Sequence, residues 1–136
     1  MAGATPVIIL AIRTDKPQAE LYLYDRSKKL DQQKWQAHRE LSGTIHKQID
    51  KLLNRSSISL NEIDGIVCFK GPGSFTGLRI GLTVANALAY AQNIPIVARK
   101  GDDWLEKGIN HLLAGKTDKI ATPYYDRPAV TSAQKS

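Results

Sequence analysis

The residues best placed to do chemistry lie in one run, Gly71-Pro72-Gly73-Ser74-Phe75-Thr76-Gly77-Leu78-Arg79-Ile80-Gly81. Gly71, Gly73 and Gly77 permit backbone angles closed to other residues, and Pro72 stiffens the chain between them. Ser74 or Thr76 can accept free N–H groups at the start of a following helix. Two readings of such a turn stand side by side. The free N–H groups and the helix dipole can hold a phosphate, or the glycines answer to geometry alone. The run contains neither the Gly-Lys-Ser/Thr of a Walker loop nor a Gly-x-Gly-x-x-Gly fingerprint. The remaining candidates are sparse. Ser74 has no base near it in sequence, and Cys68, the single cysteine, falls inside an apolar run and reads as inert core. His38, His46 and His111 have no cysteine or carboxylate companions at ligand spacing, so no metal site and no cofactor are expected.

The elements around this turn follow from periodicity. Val7 to Ile12 is continuously apolar and β-branched, as in a central strand buried on both faces. Ala19–Asp25 reads as a second strand and 29–35 as a third, at an edge. A helix is expected over 37–54, because Leu41, Ile45, Ile49 and Leu52 fall on one face while Lys47, Asp50 and Lys51 lie opposite. Ser59 can cap a short turn with Glu62. Residues 65–69 form a fourth strand, 78–92 a second helix with small residues at 77, 81, 85 and 89, and 94–98 a fifth strand. A third helix starts at Asp102 or Asp103 and closes at Gly115. Three successive strands followed by alternating helices and strands suit a ribonuclease-H-like arrangement rather than a Rossmann repeat.

Length and composition fit one globular domain: 136 residues, 42% hydrophobic and 24% charged. Residues 1–114 read as that domain and 115–136 as a tail. The net charge of +6 is spread evenly over both halves, with no basic block, so it defines no nucleic-acid site. A lone cysteine suits a reducing cytoplasm, and no apolar run approaches the ~20 residues of a membrane span.

The eleven-residue run resembles the signature of the TsaB (YeaZ) family. That resemblance implies a single ribonuclease-H-like lobe of the actin-like ATPase superfamily, α/β, with a five-stranded mixed sheet and flanking helices. It also implies a non-catalytic partner in making threonylcarbamoyladenosine beside the tRNA anticodon. The opening strand resembles the family's, with Arg13-Thr14-Asp15 where the family has Asp-Thr-Ser. A guanidinium at the acidic position cannot hold magnesium, which argues against ATP hydrolysis. His38-Arg39-Glu40-Leu41-Ser42 loosely resembles the family's His-Ser-Glu-like start of the first helix. Pro123-Tyr124-Tyr125-Asp126-Arg127-Pro128 resembles the family's closing tail, so the chain reads as a compact form lacking most of the second half.

By the same resemblance, the first two long helices should pack against a TsaD-like catalytic subunit or a second copy in a homodimer. The implied interface is Leu41, Ile45 and Ile49 with Arg79, Leu82, Ala85, Asn86 and Ala89, and Ala85 is expected to face the partner. A TsaE-like ATPase is a further implied partner, with tRNA contacted only through the complex. Rival readings are a degenerate actin-like ATPase or peptidase-like enzyme, and a direct tRNA-binding module.

Overall fold

The computed structural model describes residues 5–124, the side chain of His38 excepted. Five strands, β1 (Ile8–Arg13), β2 (Gln18–Asp25), β3 (Lys28–Gln36), β4 (Ile63–Phe69) and β5 (Ile96–Arg99), form one sheet in the order β3-β2-β1-β4-β5. β1, β2 and β3 pair antiparallel, while β4 runs parallel to β1 and β5 parallel to β4. This is the mixed sheet expected of a ribonuclease-H-like lobe. β1 is central because Ile8 to Ile12 is apolar on both faces and fully enclosed.

Register assigns the two faces. Arg13 pairs with Glu20 and Ala11 with Tyr22, so Arg13, Glu20 and Tyr22 share one face. Helix α3 (Trp104–Leu113) covers part of it: Gly108 abuts Val67, and Trp104 meets Phe69 and Tyr22 edge-on, with centroids 5.7 and 6.2 Å apart. Helix α1 (Leu41–Arg55) lies on the other face. There Trp35 Nε1 donates to Thr44 Oγ1 at 3.0 Å and Gln33 Nε2 to Gln48 Oε1 at 2.6 Å. Helix α2 (Phe75–Gln92) lies beside α1 and packs on β4 and β1.

The expected stripe of α1 is buried, and Lys47, Asp50 and Lys51 are exposed. Glu62 reaches back to the Ser59 N–H at 2.8 Å, as the capping pattern predicts. Several boundaries differ. A short 3-10 turn, His38–Glu40, precedes α1, because Ala37 is buried with its N–H bound to Pro17 O. α2 starts at Phe75 rather than Leu78, since Ser74 O already accepts the Leu78 N–H. The hydroxyl of Ser74 does not cap it, nor does the carboxylate of Asp103 cap α3; Asp103 pairs with Lys107 instead. β5 starts after Pro95, whose carbonyl takes the Ile66 N–H.

Residues past Gly115, set apart above as a tail, lie on the domain as far as Tyr124. Ala121 is buried, its N–H and C=O both bonded to the Asn86 amide, and the Tyr124 N–H donates to Lys70 O. Most of the Pro123–Pro128 resemblance lies outside the described residues.

Candidate functional site

The carboxyl ends of β1 and β4 lie side by side, and the turn leaving β1 is pressed against the start of α2. Thr14 Oγ1 donates to the Gly77 carbonyl at 2.7 Å. A Cβ on Gly73 would sit 2.5 Å from Asp15 Cβ, one on Gly77 would collide with the Thr14 carbonyl oxygen, and one on Gly81 with Thr14 Oγ1. Glycines four apart therefore cut a notch into which Thr14 and Asp15 fit. Of the four glycines in the run, only Gly71 has a positive φ, +121°. The expectation of unusual backbone angles at Gly73 and Gly77 is thus corrected: close approach, not dihedral freedom, demands glycine there.

Arg13 closes the site from the sheet side. Its Nε donates to Asp15 Oδ1 at 2.7 Å and Nη2 to Oδ2 at 3.3 Å, with the guanidinium 3.9 Å above the Phe69 ring. Burial opposes the Arg13 charge, but the Asp15 bond and charge, with Glu20 behind, outweigh it and raise the guanidinium pKa. Glu20 is nearly enclosed and accepts the Tyr22 hydroxyl at 2.6 Å. Burial first, then that bond, pushes the Tyr22 phenol well above its ordinary range, so it stays a neutral donor.

This bears directly on the phosphate reading. A cleft of about 420 Å³ does open at the start of α2, with Lys16, Arg39, Ser74 and Thr76 among its walls. The Asp15 carboxylate also lines it, fixed beside Gly73. An anion entering there meets a negative charge already paired inside the protein, which opposes what the helix dipole offers. The turn is built as a clasp. Among the described residues no three His, Cys, Asp or Glu side chains gather as a metal set. Burial pushes the Cys68 thiol up to about 12, which removes its nucleophilic form at neutral pH.

A second hollow, about 510 Å³, runs between α1 and α2, where Ser42 and His46 face Phe75, Arg79 and Thr83. Phe75 is 46% exposed, with the Arg79 guanidinium 5.2 Å from its ring centroid. Of the residues expected at an interface, Arg79 stands here. Leu41, Ile45, Ile49, Leu82, Ala85 and Ala89 are instead buried in the chain's own core, Ala85 completely. Ala85 thus does not face outward, because the small stripe is used against the sheet and the β1 turn. Asn86 is half-buried and committed to Ala121. Phe75, expected within the turn, stands in the first turn of α2 and lines the groove. The Glu20–Tyr22 pair was missed, although the alternation Ala19, Leu21, Leu23 against Glu20, Tyr22, Tyr24 carried its signal.

A family model described as TsaD: tRNA N6-adenosine threonylcarbamoyltransferase matches residues 32–100, from β3 through both helices of the groove to β5. The "tRNA threonylcarbamoyladenosine biosynthesis protein TsaB" of Haemophilus influenzae is 38% identical over 61 residues, 45% of this chain and 26% of that protein. YeaZ from Pseudomonas aeruginosa superposes with a TM-score of 0.64 at 26% identity, over 69% of this chain and 44% of that one. The chain belongs to this TsaD/TsaB family, in its TsaB (YeaZ) form. A tRNA N6-adenosine threonylcarbamoyltransferase of Rhizobium leguminosarum is also similar, 37% identical over 81 residues, covering 56% of this chain and 20% of that enzyme. The matched part of the chain thus covers between 20% and 44% of these relatives. No helix among the described residues is long and apolar enough to cross a membrane.

Proposed function

We propose that the chain is a non-catalytic scaffold in threonylcarbamoyladenosine formation on tRNA and that it docks a TsaD-like catalytic subunit through the α1–α2 groove. The observation that carries this reading is the exposed Phe75–Arg79 pair on a helix with no other charged residue. An apolar hollow with a single cation suits the amphipathic helix of a partner better than a polar small molecule. The TsaB name of the relatives supports the pathway. The Arg13–Asp15 pair, in place of a free carboxylate at the end of β1, supports an accessory role. Leu41, Ile45, Ile49, Leu82 and Ala85 then act from beneath, holding the two helices at the spacing that forms the groove. A second copy or a TsaE-like ATPase would bind as an additional subunit, and tRNA would be reached through the complex.

Mixing the full chain with the TsaD-like protein of its own source tests this by co-elution and calorimetry. Binding that Phe75→Asp weakens at unchanged melting temperature is the expected result. Absence of binding, or magnesium-dependent ATP turnover by the isolated chain that Arg13→Ala abolishes, overturns it.

A further inference from the structure

The segment after α3 is fastened to the outer edge of β5 mainly by side chains rather than by a strand ladder. Thr117 Oγ1 accepts the Ile96 N–H at 3.2 Å, and Asp118 Oδ2 accepts the Ala98 N–H at 2.8 Å, while the Asp118 N–H donates to Ile96 O at 2.7 Å. The same Asp118 Oδ2 takes Arg99 Nη1 at 2.7 Å, and Nη1 also donates to Ala98 O at 2.6 Å. On its other side, Arg99 Nε donates to His111 Nδ1 at 2.8 Å. One guanidinium therefore joins α3, β5 and the segment, and one of its acceptors titrates.

We propose that Arg99, His111 and Asp118 form a pH-operated latch on a strap, residues 117–120, and that protonation of His111 opens it. His111 Nδ1 accepts from Arg99 only while it keeps its lone pair. A proton there sets two cations at hydrogen-bond distance. The pair separates, and a guanidinium that turns from the imidazole carries its coplanar Nη1 away from Asp118 and Ala98 O. The charged groups facing the imidazole are Arg99 on β5, Lys107 on α3, Lys116 just beyond α3, and Asp118 on the strap. Burial and the three cations disfavour the proton and Asp118 favours it, with the balance below the ordinary histidine value. The latch is therefore closed at neutral pH and opens on the acid side of 6.5. Lys119 in the strap sits at φ +69°, a left-handed conformation that is costly for a residue with a side chain.

Amide hydrogen exchange on the full chain at pH 8 and pH 5, corrected for intrinsic rates, tests the latch. Protection of the Ala98 and Asp118 amides should fall about tenfold at pH 5, as expected on losing a charge-assisted hydrogen bond, while the Val67 amide stays protected. In His111→Gln, whose amide oxygen can still accept from Arg99 but cannot titrate, that fall should disappear. Unchanged or rising protection in the wild type at pH 5, or the same fall in His111→Gln, overturns the proposal. Should that variant not fold, NMR titration of the wild type decides: the His111 ring and the Ala98 amide must share one midpoint, and separate midpoints overturn the latch.

Discussion

The two helices that share one face of the sheet bury different things. α1 buries leucine and isoleucine and turns Lys47, Asp50 and Lys51 outward, so its exposed side is ordinary solvated surface. α2 buries Leu78, Leu82 and Val84 together with a stripe of small residues, Gly77 and Gly81 against Thr14 and Ala85 and Ala89 in the core, and leaves Phe75 and Tyr90 outside, 46% and 90% exposed. The difference shows how one helix can serve two contacts. Small residues bring its backbone close to its own sheet and turn, while Phe75 and Arg79 line the groove beside α1.

Substitutions that invert this division should have the largest effects. Ala85→Trp forces an indole into a fully enclosed site, so a loss of about 3 kcal/mol or more, or failure to fold, is expected in urea denaturation. Gly77→Ala sets a methyl against the Thr14 backbone, which has no rotamer to yield, and should cost about 1–3 kcal/mol. Gly43→Ala, the matching change on α1, meets nothing within 4 Å and should stabilise by about 1 kcal/mol through helix propensity. Opposite signs at Gly43 and Gly77 sharpen the comparison; equal losses would break it.

A smaller effect concerns how α1 is tied to the sheet. Arg55 donates to Asp31 Oδ2 at 2.7 Å, to Gln33 Oε1 and to the Gln32 carbonyl. The Arg55 bond leads in holding the Asp31 carboxyl below its usual value of 3.8. A depressed carboxylate pKa stabilises the fold above the unfolded value, and that contribution is lost as pH falls through the folded one. The stability gap between wild type and Arg55→Ala should therefore be visible at pH 7 and narrow below about pH 4. A gap that stays constant down to pH 2 would locate the Arg55 contribution in its carbonyl and amide bonds instead.

Much of this was legible in the sequence because α1 and β1 carry unambiguous patterns. Four apolar positions on one helical face, and five consecutive apolar residues in one strand, each allow a single burial. The orientation of α2 was not legible for the converse reason. Ile80, Val84 and Leu88 lie on one side and Leu78, Leu82 and Ala85 on another, so hydrophobicity does not say which side faces the sheet. A stripe of small residues fits either side equally well. Nor could one sequence show what the glycines receive. Thr14 meets Gly77 across 63 positions of chain, and nothing in Arg13-Thr14-Asp15 marks a buried, hydrogen-bonded turn. The charge reversal at Arg13 was readable, but its bidentate pairing with Asp15, which turns the motif from an anion cradle into a clasp, needed the geometry.

The central claim is that α2 keeps its small side for itself and offers Phe75, Arg79 and Thr83 to a partner. The most direct measurement is the affinity of Thr83→Trp for the TsaD-like subunit, taken by calorimetry alongside its melting temperature. Thr83 is exposed and lines the groove, so an indole there should leave melting within a few degrees of wild type and weaken binding at least about tenfold, a change of roughly 1.4 kcal/mol. Wild-type affinity in a folded Thr83→Trp protein would contradict the account and move the docking surface off this helix.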